Sequence, residues 1–327
     1  MYAIEVQQFG PPSVLQMAEL PDPVPGAGQV LVAASACDVL FVDAMIRSGV
    51  GADYFPIRPP YVPGNGVGGT VVAVGESVGR EWVGRTVTAH TGGSTASGGY
   101  SELAVAGLED VSAVPDEVDL LDATAVMHDG TTALRVLEIC DPLPGDWVLV
   151  LGAAGGMGIL LVQLLAASGA KVIGAARGAA KLAAVARAGA LAAIDYERPD
   201  WTAAVLDASG GERPAAVLDG VGGPLGAAAF GLVADGGRFS AHGAPSGGFA
   251  VIDSGTAERR RVRVSTIADL QFGAGDRSRL MRGILKQLAA GQVSPLIGQT
   301  FPLADAAKAH EAMEERRAVA KTLLLTG

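Results

Sequence analysis

Polar and apolar residues alternate over Met1–Val6, with a charged Glu5 inside the run. A period of two predicts a strand there and argues against a secretory leader. Further apolar runs, Val30–Ala34 and Thr70–Val74, are separated by the clusters Pro21-Asp-Pro-Val-Pro-Gly26 and Pro59-Pro-Tyr-Val-Pro-Gly64. The first hundred or so residues therefore read as β-rich and turn-rich. Near Leu120 the pattern changes to short apolar strands alternating with longer Ala/Leu-rich stretches. Strands are expected at Trp147–Leu151, Lys171–Ala176, Leu191–Asp195, Ala216–Asp219, Arg238–Ala241 and Arg261–Ile267. Helices are expected at Gly156–Ser168, Ala180–Ala188, Arg277–Ala290 and Leu303–Arg317. Alternation of this kind indicates a parallel sheet covered on both faces. Trp147–Ala170 carries no charge and is long enough to span a bilayer, but its five glycines and strand-like start favour strand–turn–helix.

Composition narrows the function classes. The 327 residues include 46 Gly and only 16 aromatics, and the glycine excess has no collagen period. Glycine in such number implies many turns, or backbone brought close to a ligand. A net charge of −10 argues against nucleic-acid binding. Cys37 and Cys140 are too few for a disulfide scaffold or a cysteine-built zinc site, and they suit a reducing, cytoplasmic setting. The run Glu258-Arg-Arg-Arg261 reads as a solvated turn.

The most informative segment is Leu149-Val-Leu-Gly-Ala-Ala-Gly-Gly-Met-Gly158. Against the dinucleotide fingerprint G-x-G-x-x-G it reads Ala153-Ala-Gly155-Gly156-Met157-Gly158, with alanine first. A strand precedes it, a helix follows, and a second strand returns within about thirty residues. Small residues let the backbone approach a pyrophosphate, to which the N–H groups of the helix start then donate. NAD sites place an acid about 20 residues further on, for the ribose 2′-hydroxyl. Here no acid falls between Asp146 and Asp195, while Lys171, Arg177, Lys181 and Arg187 do. Arg177 and Lys181 point to a 2′-phosphate, and so to NADPH.

With these residues in view, the chain resembles the zinc-free, zeta-crystallin-like quinone oxidoreductases of the medium-chain dehydrogenase/reductase superfamily. The likeness starts with Met1–Leu15 and Pro21–Gly26 and runs through Ile46-Arg-Ser-Gly49, Tyr61-Val-Pro-Gly64 and Gly98-Gly-Tyr-Ser-Glu102. It continues through Ala153–Gly158, Ile194-Asp-Tyr196 and Gly236-Gly-Arg-Phe to Pro295–Leu303 and Ala309-His310. It implies an α/β protein with a GroES-like β-rich domain (1–123), an NADPH-binding Rossmann domain (124–267) and a return to the first domain (268–327). It also implies a homodimer, with the cofactor in a cleft between domains. Carried over, it places Gly156 and Met157 at the pyrophosphate, and Arg177, Lys181 and Tyr196 around the 2′-phosphate and adenosine. Thr132 falls beside the nicotinamide ribose, Val221, His242 and Gly243 on loops bordering the nicotinamide, and Arg317 at a late arginine that reaches the cofactor.

Departures from the family pattern bear on the chemistry. The Gly-His-Glu of zinc-dependent relatives reads Gly64-Asn65-Gly66 and no C-x₂-C occurs, so neither usual zinc site can be built. A polar Asn/Tyr pair of relatives is replaced by Leu40 and Met45, while Asp43 is retained, giving a more apolar substrate pocket. The implied reaction is hydride transfer from NADPH to a quinone or similar conjugated carbonyl compound. Candidate proton donors are Asp43, Tyr54, Tyr61, His128 and His242. An enoyl or 2-alkenal reductase, possibly in polyketide-type metabolism, remains an alternative, as does a crystallin-like or RNA-binding protein that holds NADPH without turnover. Ala244-Pro-Ser-Gly-Gly248 approaches a hydrolase nucleophile elbow, but its first glycine is alanine.

Overall fold

The computed structural model describes residues 1–50, 55–91, 98–273 and 275–327; the candidate Tyr54 lies outside them. The alternating N-terminus forms β1 (Tyr2–Val6), paired antiparallel with β2 (Leu15–Glu19). A long β3 (Gln29–Val39) leads into α1 (Phe41–Ser48), followed by β4 (Gly66–Val74), β5 (Thr86–His90), β6 (Leu103–Gly107), β7 (Val111–Ala113) and α2 (Leu120–Val126). The αβ alternation then runs α3 (Asp129–Cys140), β8 (Trp147–Leu151), α4 (Gly156–Ala167), β9 (Lys171–Ala176), α5 (Ala179–Arg187), β10 (Ala192–Asp195) and α6 (Trp201–Ala208). It ends with β11 (Ala216–Asp219), α7 (Gly223–Phe230), β12 (Arg238–Ala241), α8 (Ser254–Arg259) and β13 (Arg263–Thr266). The chain closes with α9 (Asp276–Ala289), β14 (Ile297–Pro302), α10 (Ala306–Glu314) and β15 (Lys321–Leu325).

Two units result: Met1–His128 with Ala274–Ala289 and Ile297–Gly327, and Asp129–Gly273 with Ala290–Leu296. The first holds the sheet β14-β15-β3-β4-β5-β7, with β6 also on β3. All pairs in it are antiparallel except β14 with β15. Its core is aliphatic, built on Ile4, Val30, Val32, Val67, Val71 and Val87, with the single large ring of Tyr100 fully buried. The second unit is a six-stranded parallel sheet in the order β10-β9-β8-β11-β12-β13. Strand order reverses between β8 and β11, which is where a doubly wound sheet opens a crevice at its carboxyl edge. This is a GroES-like β-rich unit with a Rossmann unit.

Three details correct the sequence expectations. The charge run at 258–261 is a turn only over Arg260 and Arg261, with Glu258, Arg259 and Arg261 exposed. Glu258 and Arg259 end α8, and Arg260 reaches back to Asp235 Oδ1 (2.8 Å) with its guanidinium 5.8 Å from the centre of the Phe230 ring. Arg261 has φ +53°, so the strand expected from 261 starts at Arg263. The last helix opens as a 3₁₀ turn at Leu303–Asp305 and stops at Glu314, with Arg316 at φ +58°. The uncharged stretch after Trp147 divides into β8 and α4, and no helix among the described residues is long and apolar enough to cross a membrane.

Candidate active site

The Rossmann unit presents a cradle at the end of β8. Gly152 takes φ +71°, turning the chain out of the strand, and Gly155 caps α4 while donating to Gly152 O (2.9 Å). Gly158 is the position that tolerates no side chain. A Cβ there would stand 2.3 Å from Gly152 O and 2.8 Å from Ala153 Cα. The alanine at the fingerprint's first position is no obstacle, since Ala153 is buried and its N–H bonds Ala175 O (3.1 Å). The strand-ending turn falls to Gly152, one residue before that fingerprint. Gly156 and Met157 form the first turn of α4 with no acidic residue there, so its N–H groups and helix dipole suit an anion. Small residues, a positive-φ turn and a helix start without a side-chain cap fit a dinucleotide.

Arg177 follows β9, and Lys181 lies in the first turn of α5. Arg177 Nε pairs with Glu197 Oε1 at 2.7 Å, with both groups partly exposed. The sequence interval free of acids is therefore not free of them in space: the end of β10 brings Glu197 back to Arg177. Asp195 Oδ2 accepts from Gly178 N (3.2 Å), and Tyr196 N donates to Ala176 O (3.2 Å), fixing this corner. An exposed pair of this kind is worth little, and it engages Nε rather than the terminal guanidinium nitrogens.

Two loops at the carboxyl ends of β11 and β12 are laced together. Buried Asp219 receives Val221 N (2.9 Å) and Gly222 N (2.8 Å), and its own carbonyl accepts from His242 N and Gly243 N. Burial raises the Asp219 carboxyl, with the two N–H bonds acting against it. His242 Nδ1 lies 3.0 Å from Ser240 Oγ, and burial lowers its pKa to about 4, so it is neutral at physiological pH. Ser246, of the elbow-like run, donates to Val221 O (2.9 Å) and acts as a loop tie. Thr132 sits half-buried in the first turn of α3.

The GroES-like unit buries a different constellation. Asp43 Oδ2 accepts from Leu40 N (2.9 Å) and from Tyr100 Oη (3.2 Å), and its Oδ1 accepts from Asn65 Nδ2 (3.0 Å). Burial pushes the Asp43 carboxyl up to about 6. Tyr100 Oη also lies 3.0 Å from His310 Nε2, and burial takes His310 down to about 3. Tyr61 is anchored by backbone bonds to Val6, its hydroxyl is buried without a partner among the described residues, and burial pushes its pKa above the ordinary phenol value. His128 contacts Asp38 and His90. Arg317 is exposed and paired with Glu315 at 2.5 Å. Tyr100 and His310 stand in segments that carry the family likeness, but nothing in the sequence joins them to Asp43, and Asp38 and His90 carry no signal of their own, because their partners are distant in the chain. Among the described residues no group of three or more His, Cys, Asp or Glu side chains is placed to hold a metal.

Comparisons with known proteins agree with this geometry. Residues 26–116 match the alcohol dehydrogenase GroES-like domain, and residues 188–324 match a family described as zinc-binding dehydrogenase. A quinone oxidoreductase of Sus scrofa is 30% identical over 99% of this chain and 98% of its own. A mycobacterial protein complexed with NADPH superposes with TM-score 0.91 at 31% identity, covering 100% of both chains. The Escherichia coli quinone oxidoreductase complexed with NADPH gives TM-score 0.91 at 26% identity, again over 100% of both chains. A full-length likeness of this order, carried by a GroES-like unit and a Rossmann unit with its glycine cradle, shows that the chain belongs to the quinone oxidoreductase family of the medium-chain dehydrogenase/reductase superfamily.

Proposed function

We propose that this chain is an NADPH-dependent reductase of quinones or similar apolar conjugated carbonyl compounds, working without zinc as a cytoplasmic homodimer. The observation that carries it is the cradle from Gly152 to Gly158, followed by the basic residues Arg177 and Lys181 at the next strand end. When bound, NADPH supplies a hydride from the C4 of its nicotinamide. The α4 start, with Gly155, Gly156, Met157 and Gly158, holds the pyrophosphate. Arg177 and Lys181 hold the 2′-phosphate, and Tyr196 flanks the adenosine. Thr132 orients the nicotinamide ribose, and Val221, His242 and Gly243, tied through Asp219, border the ring. Leu40 and Met45 leave the substrate side apolar and exclude water, which suits a flat acceptor.

The zinc-free assignment is supported by the two isolated, buried cysteines and the absence of a donor cluster among the described residues. The homodimer is supported by β13 ending the parallel sheet and by exposed Phe249, Val251 and Ile267 in the same unit. The charge of −10 favours a small-molecule partner over nucleic acid.

A steady-state screen of NADPH and NADH oxidation against 1,4-quinones, 2-alkenals and enoyl thioesters tests the assignment. Turnover is expected with NADPH and quinones, and metal assay is expected to find no stoichiometric zinc. Reduction of enoyl thioesters alone would move the assignment to an enoyl reductase, and equal use of NADH would remove the 2′-phosphate role of Arg177.

A further inference from the structure

One chain of ionisable groups in the GroES-like unit is not used by nucleotide binding. Lys321 of β15 pairs with Asp38 of β3, and both are buried. Asp38 Oδ2 lies 2.7 Å from His128 Nδ1, and His128 Nε2 lies 3.0 Å from His90 Nδ1. The two imidazoles meet edge to face at 81°. His90 ends the series: its Nε2 is buried with no partner among the described residues, as is Oγ1 of the adjacent Thr91. Gly66 faces His90 across the β4–β5 pair and leaves room for the rings, since a Cβ at 66 would stand 2.8 Å from His128 Cε1.

Hydrogens on this series are not independent. Burial alone would raise the Asp38 carboxyl, but Lys321 and His128 override it and hold it below its usual range. The ionised carboxylate requires a hydrogen on His128 Nδ1. If His128 is also protonated at Nε2, it donates to His90 Nδ1, and the hydrogen of neutral His90 then sits on Nε2. If His128 is neutral, its Nε2 accepts from His90 Nδ1–H, and His90 Nε2 becomes a lone pair. The charge on His128 therefore sets whether the unpartnered nitrogen is donor or acceptor. Burial first, then the cations of His128 and Arg277, keep His90 itself well below the ordinary imidazole range. In the charged state of the series the extra proton lies between His128 Nε2 and His90 Nδ1.

We propose that His90 Nε2 gives the quinone its proton, with His128 as the relay and Asp38 as the residue that positions it; this rests on the function proposed above. Hydride delivers two electrons and one hydrogen to the quinone, leaving one oxygen anionic. The His90 Nε2–H bond breaks and an O–H bond forms, the electron pair staying on Nε2. The proton on His128 Nε2 moves to His90 Nδ1, leaving His128 neutral; once product has left, a solvent proton adds at His90 Nε2 and the Nδ1 hydrogen returns to His128 Nε2. Lys321, Asp43 and Arg277 are the other charged or titratable groups facing the series.

Nitrogen-15 NMR of the histidine-labelled full chain without nucleotide reads the coupling directly. The His90 tautomer is expected to follow the charge on His128, changing from Nδ1–H to Nε2–H without His90 itself charging. Two rings titrating independently, or a fixed His90 tautomer, would overturn the relay. In kinetics, His90→Gln is expected to lower kcat about 100-fold with an electron-rich methylated quinone. With tetrachloroquinone, whose reduced anion needs no proton, the loss should be at least about tenfold smaller. Equal losses with both acceptors would also overturn it. Fluorescence titration with NADPH reports whether the variant is folded, and if it is not, the NMR result decides. If the wild-type chain reduces neither quinone, the functional assignment falls, and the NMR titration alone then upholds or overturns the coupling.

Discussion

The two candidate constellations, one in each unit, are made of different material. The nucleotide cradle of the Rossmann unit is main chain: a positive-φ turn at Gly152, the close approach at Gly158 and the N–H groups that open α4. The GroES-like unit uses side chains, in two networks: Asp43 with Asn65, Tyr100 and His310, and Asp38 with Lys321, His128 and His90, with Asn65, His90 and His128 half-buried and the rest buried. A backbone site binds by shape and fixed dipoles, and pH or a distant substitution disturbs it little. A buried side-chain network is sensitive to the loss of any one member, because each lost partner leaves an unsatisfied group in low dielectric.

Substitutions should separate the two. Asp38→Ala removes the buried carboxylate that faces both Lys321 and His128 and is expected to cost about 3–5 kcal/mol in thermal or urea unfolding. Adding Lys321→Met should recover much of that loss, and failure to recover it would place the cost elsewhere. Gly158→Ala drives a methyl group into the Gly152 carbonyl, with an expected cost of about 1–3 kcal/mol and weaker NADPH binding by fluorescence titration. Arg177→Ala with Lys181→Ala should reduce NADPH affinity about tenfold per residue while sparing NADH, less than a buried contact would give because Arg177 is partly exposed. Unchanged discrimination would break the 2′-phosphate assignment.

The smallest expected effect is in pH. His242 and His310 have folded values lowered to about 4 and about 3, so their contributions are present above about 6.5 and are lost as pH falls through the interval below it. Asp43, raised to about 6, acts with the opposite sign: its contribution is present below about 3.9 and is lost as pH rises toward 6. His242→Phe should shrink the drop in Tm between about pH 7 and 5 by an amount worth about 1 kcal/mol, which calorimetry at the two pH values checks.

The same contrast explains what could be read from the sequence. The limits of β8, β9, β11 and β12 follow from local apolar runs ending in small residues, and the cradle from spacing within ten positions. The family pattern likewise singles out Asp43, which turns out to close the first turn of α1 through Leu40 N. Helix α1 itself, with Asp43, Ala44, Ile46 and Arg47 buried, is hidden in a region whose proline and glycine clusters suggest strands and turns. The Asp38–Lys321 pair joins opposite ends of the chain, and no periodicity signals it. Glu197 shows the same limit: distance along the chain kept it out of the interval between Asp146 and Asp195, and the return of β10 set it beside Arg177.

Strand β15 has a consequence for how the molecule is made. Thr322 pairs with Val39 and Leu325 with Ala36, so the longest strand of the first sheet lacks one neighbour until the C-terminal residues have been synthesised. The sheet of the Rossmann unit needs nothing beyond Thr266, and so it can complete while the ribosome is still at work. Strand β3 is thus made well before the sheet it belongs to can be completed, with Asp38 waiting for Lys321 of β15.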